Sequence, residues 1–281
     1  MKISSALLSA LFFFSMSGCQ KLEDYIEIPQ LKQNCDLIKS IEPGGGLLFL
    51  KELNRDTKKP DRIVASAYTV ARFDSVALKV RYNGNVVYFL YEESIADTFM
   101  TASFKNGKLD KLTRGNAPDK GFKFNFPSMT FSYSGNRLSG YARVGETLYD
   151  PEEDTTIKSD DFIAYIRYDN YGNVTQILDD GSATPAITYT YDTNVKASGQ
   201  FYPDAFGVDY GSSTLYLAEF MGWVPDLMPV NIRISSAFNG DGTYLVNHYS
   251  NHLFDSNRNL TSYTIDNKSV AATYSNVWAC K

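Results

Sequence analysis

The sequence predicts a mainly β fold: an extended, curved antiparallel meander, rolled into an open barrel or half-shell, with one short amphipathic helix near residues 214–221. Three observations carry this. Apolar and polar residues alternate over many short runs, turn dipeptides of one kind separate the runs, and a single segment breaks the alternation with helical spacing.

The alternation comes first. "VALKVRY" puts Val76, Leu78, Val80 and Tyr82 on one face and Ala77, Lys79 and Arg81 on the other. "MTFSYS" sets Met129, Phe131 and Tyr133 against Thr130, Ser132 and Ser134. "FIAYIRYD" groups Phe162, Ala164, Ile166 and Tyr168, and "ITYTYD" groups Ile187, Tyr189 and Tyr191. A period of two with one apolar face marks half-buried antiparallel strands, and the content of Tyr, Phe, Val and Thr suits them.

The turns follow: "YNGNV" at Tyr82, "FKNGKL" at Phe104, "YSGNRL" at Tyr133, "YDNYGNV" at Tyr168, "FNGDGTY" at Phe238 and "FDSNRNL" at Phe254. Asn-Gly and Ser-Gly pairs accept the positive φ of tight hairpin turns. Tyr82, Tyr133, Tyr168 and Tyr191 fall in phase with the apolar face, so each is read as the last core residue before its turn. An acid such as Asp169 can accept from backbone N–H groups of the turn, and Gly172 supplies the backbone angle. The tyrosine-acid-glycine cluster is therefore read as scaffold. "DTKKPDR", Asp56 to Arg62, is a further turn between strands.

In "SSTLYLAEFMGWVPDLMP", Leu215, Ala218 and Met221 recur at helical spacing with Leu217 and Phe220 beside them. Ser212 or Ser213 can cap the start, and Gly222 and Pro225 stop it. "CDLIKSI", Cys35 to Ile41, is a weaker helical candidate. "EESIADTFMTASF" fits either state, and "DPEEDTTIKSDD", Asp150 to Asp161, reads as a long exposed hairpin loop.

The chain opens "MKISSALLSALFFFSMSGCQK". Lys2 is a positive n-region, Ala6 to Phe14 an apolar stretch too short to span a bilayer, and Ser17-Gly18 a small pair before Cys19. This order resembles the lipobox of bacterial lipoproteins, with Met16 where leucine is usual. The resemblance implies cleavage before Cys19 and acylation of its thiol, and multiple acyl chains make a lasting anchor. The polar, acidic "QKLEDYIE" that follows is similar to the tag that sends lipoproteins of Bacteroides-type bacteria to the outer face of the outer membrane. The expected domains are a signal peptide at 1–18, a lipidated cysteine and tether at 19–45, and one β-meander domain at 46–281.

The "RYDNYGNVTQI" and "FSYSGNRLSG" segments resemble YD repeats, the tyrosine-aspartate hairpins of Rhs and teneurin-type shells, with Tyr168-Asp169 and Gly172-Asn173 the good match. The whole layout is similar to a group of Bacteroides-type cell-envelope lipoproteins of unknown function. That resemblance implies no catalytic residue.

Formal net charge is −5, and no basic run supports a nucleic-acid partner. Once Cys19 is acylated, Cys35 and Cys280 remain. An exported pair of cysteines reads as a disulfide joining the ends of the domain or as two separate buried thiols.

Other constellations are weak. His248 and His252 have metal-pair spacing, with Asp255 near, but lie on a strand or turn, where they share a face yet stand apart; they are read as two polar surface histidines rather than a metal pair. The acidic loop lacks the oxygen spacing and central glycine of a calcium loop. "PGGGLLFLK" lacks the Gly-Lys-Ser/Thr of a phosphate loop. No metal and no cofactor is expected. The 20 Tyr, 18 Phe and 2 Trp are read mainly as core and rim, with an exposed aromatic platform for sugar rings as the alternative for some. The expectation is an outer-membrane, lipid-anchored lipoprotein with surface exposure and no enzymatic activity. It binds or scaffolds, with a glycan or an envelope protein as partner. The alternative is an envelope hydrolase using a carboxylate pair.

Overall fold

The computed structural model of the protein describes residues 35–45, 47–69, 72–115, 127–150, 155–159, 161–203, 212–240, 243–267 and 271–280. The chain divides into two units, Met1–Lys32 and Gln33–Lys281, and all described residues belong to the second. The expected signal peptide, Cys19 and most of the expected tether lie outside the described residues.

The first arc of strands is β1 (Cys35–Ile41), β2 (Leu47–Leu53), β3 (Pro60–Thr69), β4 (Arg72–Asn83), β5 (Val86–Tyr91), β6 (Ser94–Lys105), β7 (Lys108–Arg114), β8 (Ser128–Ser134) and β9 (Arg137–Arg143). A separate hairpin follows, β10 (Glu146–Asp150) with β11 (Thr155–Ser159). The second arc is β12 (Phe162–Tyr168), β13 (Val174–Asp179), β14 (Pro185–Lys196), β15 (Asn231–Gly240), β16 (Thr243–Phe254), β17 (Leu260–Asp266) and β18 (Ala271–Cys280), with α1 (Ser212–Phe220) between β14 and β15. Every strand pair is antiparallel. β12 pairs with β9, so β10 and β11 stand outside the ring.

The sheet is a closed barrel of sixteen strands rather than an open one. Closure comes from β1, which pairs with β18 on one side and β2 on the other. This strand is the segment Cys35 to Ile41, read from sequence as a helix candidate. Its short apolar run fits either state alone, and its two sheet partners decide. At the seam Cys35 and Cys280 are directly opposed and joined by a disulfide with S–S 2.02 Å. "EESIADTFMTASF" is resolved as strand β6, and the acidic stretch between Asp150 and Asp161 contains β11.

A sixteen-strand ring is too wide for its own side chains to fill; open barrels of that size carry an aqueous lumen. Here the connection from β14 to β15 enters the lumen. Leu215, Leu217, Ala218 and Phe220 of α1, then Met221, Val224 and Leu227, join one core with inward residues such as Phe49, Ile63, Leu78, Phe89, Met100, Leu112, Met129 and Leu138. The Phe220 ring stacks on Phe49 at 5.1 Å, and Trp223 packs edge-on against Phe89 at 5.5 Å and Phe104 at 5.3 Å. The helix lies within two residues of its expected span. It is enclosed rather than amphipathic, since even Glu219 is buried.

The opposite face of the wall carries polar side chains, along with exposed apolar ones at Ile163, Tyr165, Ile234, Leu245 and Val277. In β4, Leu78 and Val80 are buried while Lys79 and Arg81 are exposed; in β8, Met129 and Phe131 are buried while Thr130 and Ser132 are exposed. A barrel that crosses a membrane requires the reverse, an apolar band outside and a polar lumen.

One inward residue of β2 is a lysine. Lys51 is 5% exposed, and its Nζ donates to the Phe220 carbonyl at 3.0 Å, at the C-terminus of α1 and over the Phe220 ring. A cation there meets the orphan carbonyls and the negative end of the helix dipole. Desolvation pulls its pKa down to about 8, partly opposed by Asp36.

Two outcomes are expected. Between pH 8 and the ordinary lysine value of 10.5 the unfolded chain binds a proton at Lys51 that the folded chain does not, so this group makes stability rise with pH over that window. Tyr82 and Tyr133, pushed up to about 12 by burial, act in the opposite sense above their ordinary 10.0. Urea midpoints at pH 8 and pH 9.5 should therefore show a rise in the native chain that Lys51→Met flattens. Second, Cys280→Ser opens a loop of sequence separation 245. It should lower stability by up to about 5 kcal/mol, read as a fall in melting temperature reproduced by reductant on the native chain.

Candidate functional site

Strand parity sorts the turns onto two rims. One rim carries the β2–β3, β4–β5, β6–β7, β8–β9, β12–β13 and β16–β17 turns, the disulfide seam, and both ends of the connection that fills the lumen. The tyrosine-glycine segments lie here, and their residues do structural work.

Tyr168 donates its hydroxyl to the Leu138 carbonyl at 2.8 Å, and Tyr191 donates to the Val174 carbonyl at 2.6 Å. Tyr133 and Tyr168 pack against the core, whereas Tyr82 is 36% exposed. A register shift between Thr190 and Tyr191 breaks the strict alternation expected along β14. Each of the first three tyrosine rings is covered by a cation from the preceding hairpin turn: Lys59 over Tyr82 at 5.1 Å, Lys108 over Tyr133 at 5.1 Å and Arg137 over Tyr168 at 4.7 Å. Such contacts join one hairpin to the next along the rim.

The Asp169 turn is a clasp. Its Oδ1 accepts from the N–H groups of Tyr171 and Asn173, both at 2.9 Å, and its Oδ2 accepts from Asn173 Nδ2 at 2.9 Å. Gly172 takes φ +95°, which a side chain disfavours. The oriented Asn173 is fully buried, and its Oδ1 accepts from the N–H groups of Val230 at 2.8 Å and Asn231 at 2.9 Å. The turn thus holds the end of the lumen-filling connection. Asp226 accepts from the Leu138 N–H at 2.9 Å and fastens that connection to β9.

The same clasp recurs at "DSNRN". Asp255 Oδ1 accepts from Asn257 N–H at 2.9 Å and Asn259 N–H at 2.8 Å, its Oδ2 accepts from Asn259 Nδ2 at 2.9 Å, and Arg258 at φ +64° stands where Gly172 stands in the first copy. Sequence reading grouped both segments as turns but missed Asp-x-x-x-Asn, the spacing that carries the geometry. Asn257 Nδ2 lies 3.1 Å from Cys280 Sγ, so this clasp adjoins the disulfide.

The outer wall carries a shallow depression of about 420 Å³ lined by Glu52, Asp61, Arg62, Lys79, Arg81 and Glu92, with Val80 and Leu90 as the apolar lining. Arg62 bridges two carboxylates: Nη1 to Glu52 Oε1 at 2.6 Å and Nε to Glu92 Oε1 at 2.5 Å. Hydrogen bonds to Glu92 and Glu52 raise the Arg62 pKa further, and the Arg62 hydrogen bond lowers that of Glu92. A general acid for glycoside hydrolysis needs the opposite, a carboxyl held protonated. The acids raised by burial are Glu42, beside β1, and Asp179, in β13; five strands separate β1 from β13 in the ring.

His248 and His252 do not share an environment. A register shift after Ser250 leaves His248 exposed and turns His252 partly inward, its Nε2 3.1 Å from the Arg233 carbonyl oxygen. Burial lowers the His252 pKa, with the Arg233 backbone bond opposing. Nearby, the buried Arg233 guanidinium lies over Tyr189 at 4.1 Å and Tyr202 at 4.7 Å. Trp223 and Trp278 pack against the core, so the exposed aromatic rings among the described residues are those of Tyr82, Tyr165, Tyr171 and Phe254.

No protein-family model matches the chain, and no curated protein sequence matches it. Its fold is similar to solved structures. A porin-like protein from Bacteroides uniformis aligns with TM-score 0.52 and 14% identity over 82% of this chain and 89% of that one. A porin-like protein from Bacteroides vulgatus aligns with TM-score 0.53 and 14% identity over 86% of this chain and 98% of that one. A TcdB2-TccC3 structure aligns with TM-score 0.30 over 84% of this chain and 14% of that one.

Asn173→Ala should be the most costly substitution in the rim turns, because it strands the N–H groups of Val230 and the buried Asn231 and removes the donor, at 3.0 Å, to Asn231 Oδ1. A loss of roughly 3 kcal/mol is expected, measured by urea denaturation. Asn257→Ala, on an exposed position of the second turn, should cost under about 0.5 kcal/mol.

Proposed function

We propose that this chain is a non-enzymatic lipoprotein of the cell envelope, with its barrel held in the aqueous phase by an acylated Cys19 and its outer wall offered to an envelope protein. The observation that supports it best is the inside-out character of the wall relative to a membrane barrel: an apolar interior filled by α1 and a charged exterior. The fold likeness to Bacteroides proteins described as porin-like supports an envelope setting in the outer membrane. A protein partner is favoured over a glycan because both tryptophans are engaged in packing and the outer depression is lined by charges of both signs. Such a surface suits reciprocal ion pairing across a protein interface. The carboxylates in that depression are bridged by Arg62, which supports recognition rather than hydrolysis.

The test is expression of the full chain in a Bacteroides host, with mass spectrometry of the N-terminal peptide and photo-crosslinking from position 81 on the outer wall. A diacylated Cys19 and a discrete protein adduct lost in Arg62→Glu support the proposal. An unmodified Cys19, or a reproducible glycan hit on a panel with no protein adduct, overturns it.

A further inference from the structure

We infer that the rim bearing the tyrosine-glycine turns faces a lipid surface with anionic, phosphate-bearing headgroups. The inference deepens the proposed tethered-lipoprotein reading and rests on it for the presence of a membrane. It stands on three features of the barrel.

The first is charge sorting by strand parity. On the arc from β2 to β9, three turns of this rim carry Arg55, Lys58, Lys59, Lys105, Lys108 and Arg137, against the acids Asp56, Asp61 and Asp110. On the remaining arc and the lumen connection, Lys196 and Arg258 stand with Asp36, Asp192 and Asp226, while Asp169 and Asp255 direct their carboxylates at backbone N–H groups inside their own turns. The opposite rim carries Glu42, Glu92, Glu93, Asp161, Asp179, Asp180 and Asp266, with Arg72, Arg114 and Arg143 among them. The first arc of this rim therefore carries the positive excess that attracts an anionic surface, while the far rim is net negative and is repelled by it. Cations near such a surface gain from its potential within a Debye length.

The second feature is the rim's apolar residues. Tyr171 is 50% exposed in the β12–β13 turn, and Leu253 and Phe254, at 62% and 36%, precede the β16–β17 turn. Exposed rings and aliphatic side chains beside cations are the pattern of a membrane–water interface. Three of the cations, Lys59, Lys108 and Arg137, are held over tyrosine rings, so little side-chain freedom remains to be lost on contact.

The third feature is where the chain joins the barrel. Strand β1 starts on this rim, and the disulfide from Cys35 to Cys280 pins its first residue there. The first described residue of the barrel therefore lies on the same rim that carries the cations.

The experiment uses the full chain with Cys19→Ser, so that no acyl group contributes, and vesicles of phosphatidylcholine with and without phosphatidylglycerol. Co-sedimentation should appear only with phosphatidylglycerol and weaken as salt is raised. Lys58→Glu with Lys105→Glu should weaken it at least tenfold. Lys39→Glu with Lys111→Glu, the same charge change on the wall, should weaken it less than threefold, with circular dichroism unchanged in both. An environment-sensitive fluorophore at Asn136→Cys should shift to the blue on vesicles, and one at Asp180→Cys, on the opposite rim, should not. Equal loss in both charge-reversal pairs, a shift at Asp180 alone, or no preference for phosphatidylglycerol overturns the inference. Because the protein carries no acyl chain here, failure leaves the lipoprotein reading to be judged by the Cys19 mass measurement.

Discussion

Everything in this barrel depends on filling a lumen that its own wall cannot fill. Strand side chains reach inward a fixed distance, while circumference grows with strand number, so a ring of sixteen strands leaves space at its axis. The β14–β15 connection occupies that space with α1, Trp223 and Leu227, turning a would-be channel into a packed core. Inward strand residues can then be large and apolar, and outward ones polar, as in a water-borne protein and unlike a membrane-spanning barrel.

A filler held only by apolar packing would be free to slide, and directional bonds locate it. Lys51 accepts the cost of burial to cap the helix at Phe220, Asp226 fixes the following turn to β9, and Asn173 receives the return of the chain at Val230 and Asn231. These polar groups come from different strands and converge because the turns of alternate hairpins share one rim. The tyrosine-acid-glycine segments thus act together as a collar for the filler, and the disulfide seals the seam of the same collar.

The outer wall carries charged side chains such as Lys79 and Arg81. Its charges are distributed by topology: strand parity sends one set of turns, rich in lysine and arginine, to the rim where the chain joins the barrel, and another set, rich in aspartate and glutamate, to the far rim. Neutralised pairs such as Arg62 with Glu52 and Glu92 occupy the wall between. No carboxylate in the depression combines burial with an absence of cationic neighbours, the condition that would keep a proton on it at neutral pH.

Local chemistry was enough to read the strands and turns. Alternation in "MTFSYS" and "FIAYIRYD", and the pairs Asn-Gly and Ser-Gly, act over a few residues, and the helix near 214–221 announces itself by spacing and by Gly222 and Pro225. Local pattern therefore predicts a β-meander with one helix, and Asp169 with Gly172 as parts of a turn. It left Cys35 to Ile41 ambiguous, because an isolated apolar heptamer has no preferred state until β18 and β2 supply its hydrogen bonds. It grouped His248 with His252, because a bulge is a property of pairing and not of residue type. Only the tertiary structure decided that the meander closes, that the helix goes inside, and that Asn173 and Lys51 hold it there. Those outcomes depend on contacts between residues far apart in sequence, as from Lys51 to Phe220. No local pattern encodes the distance at which a sixteenth strand meets the first.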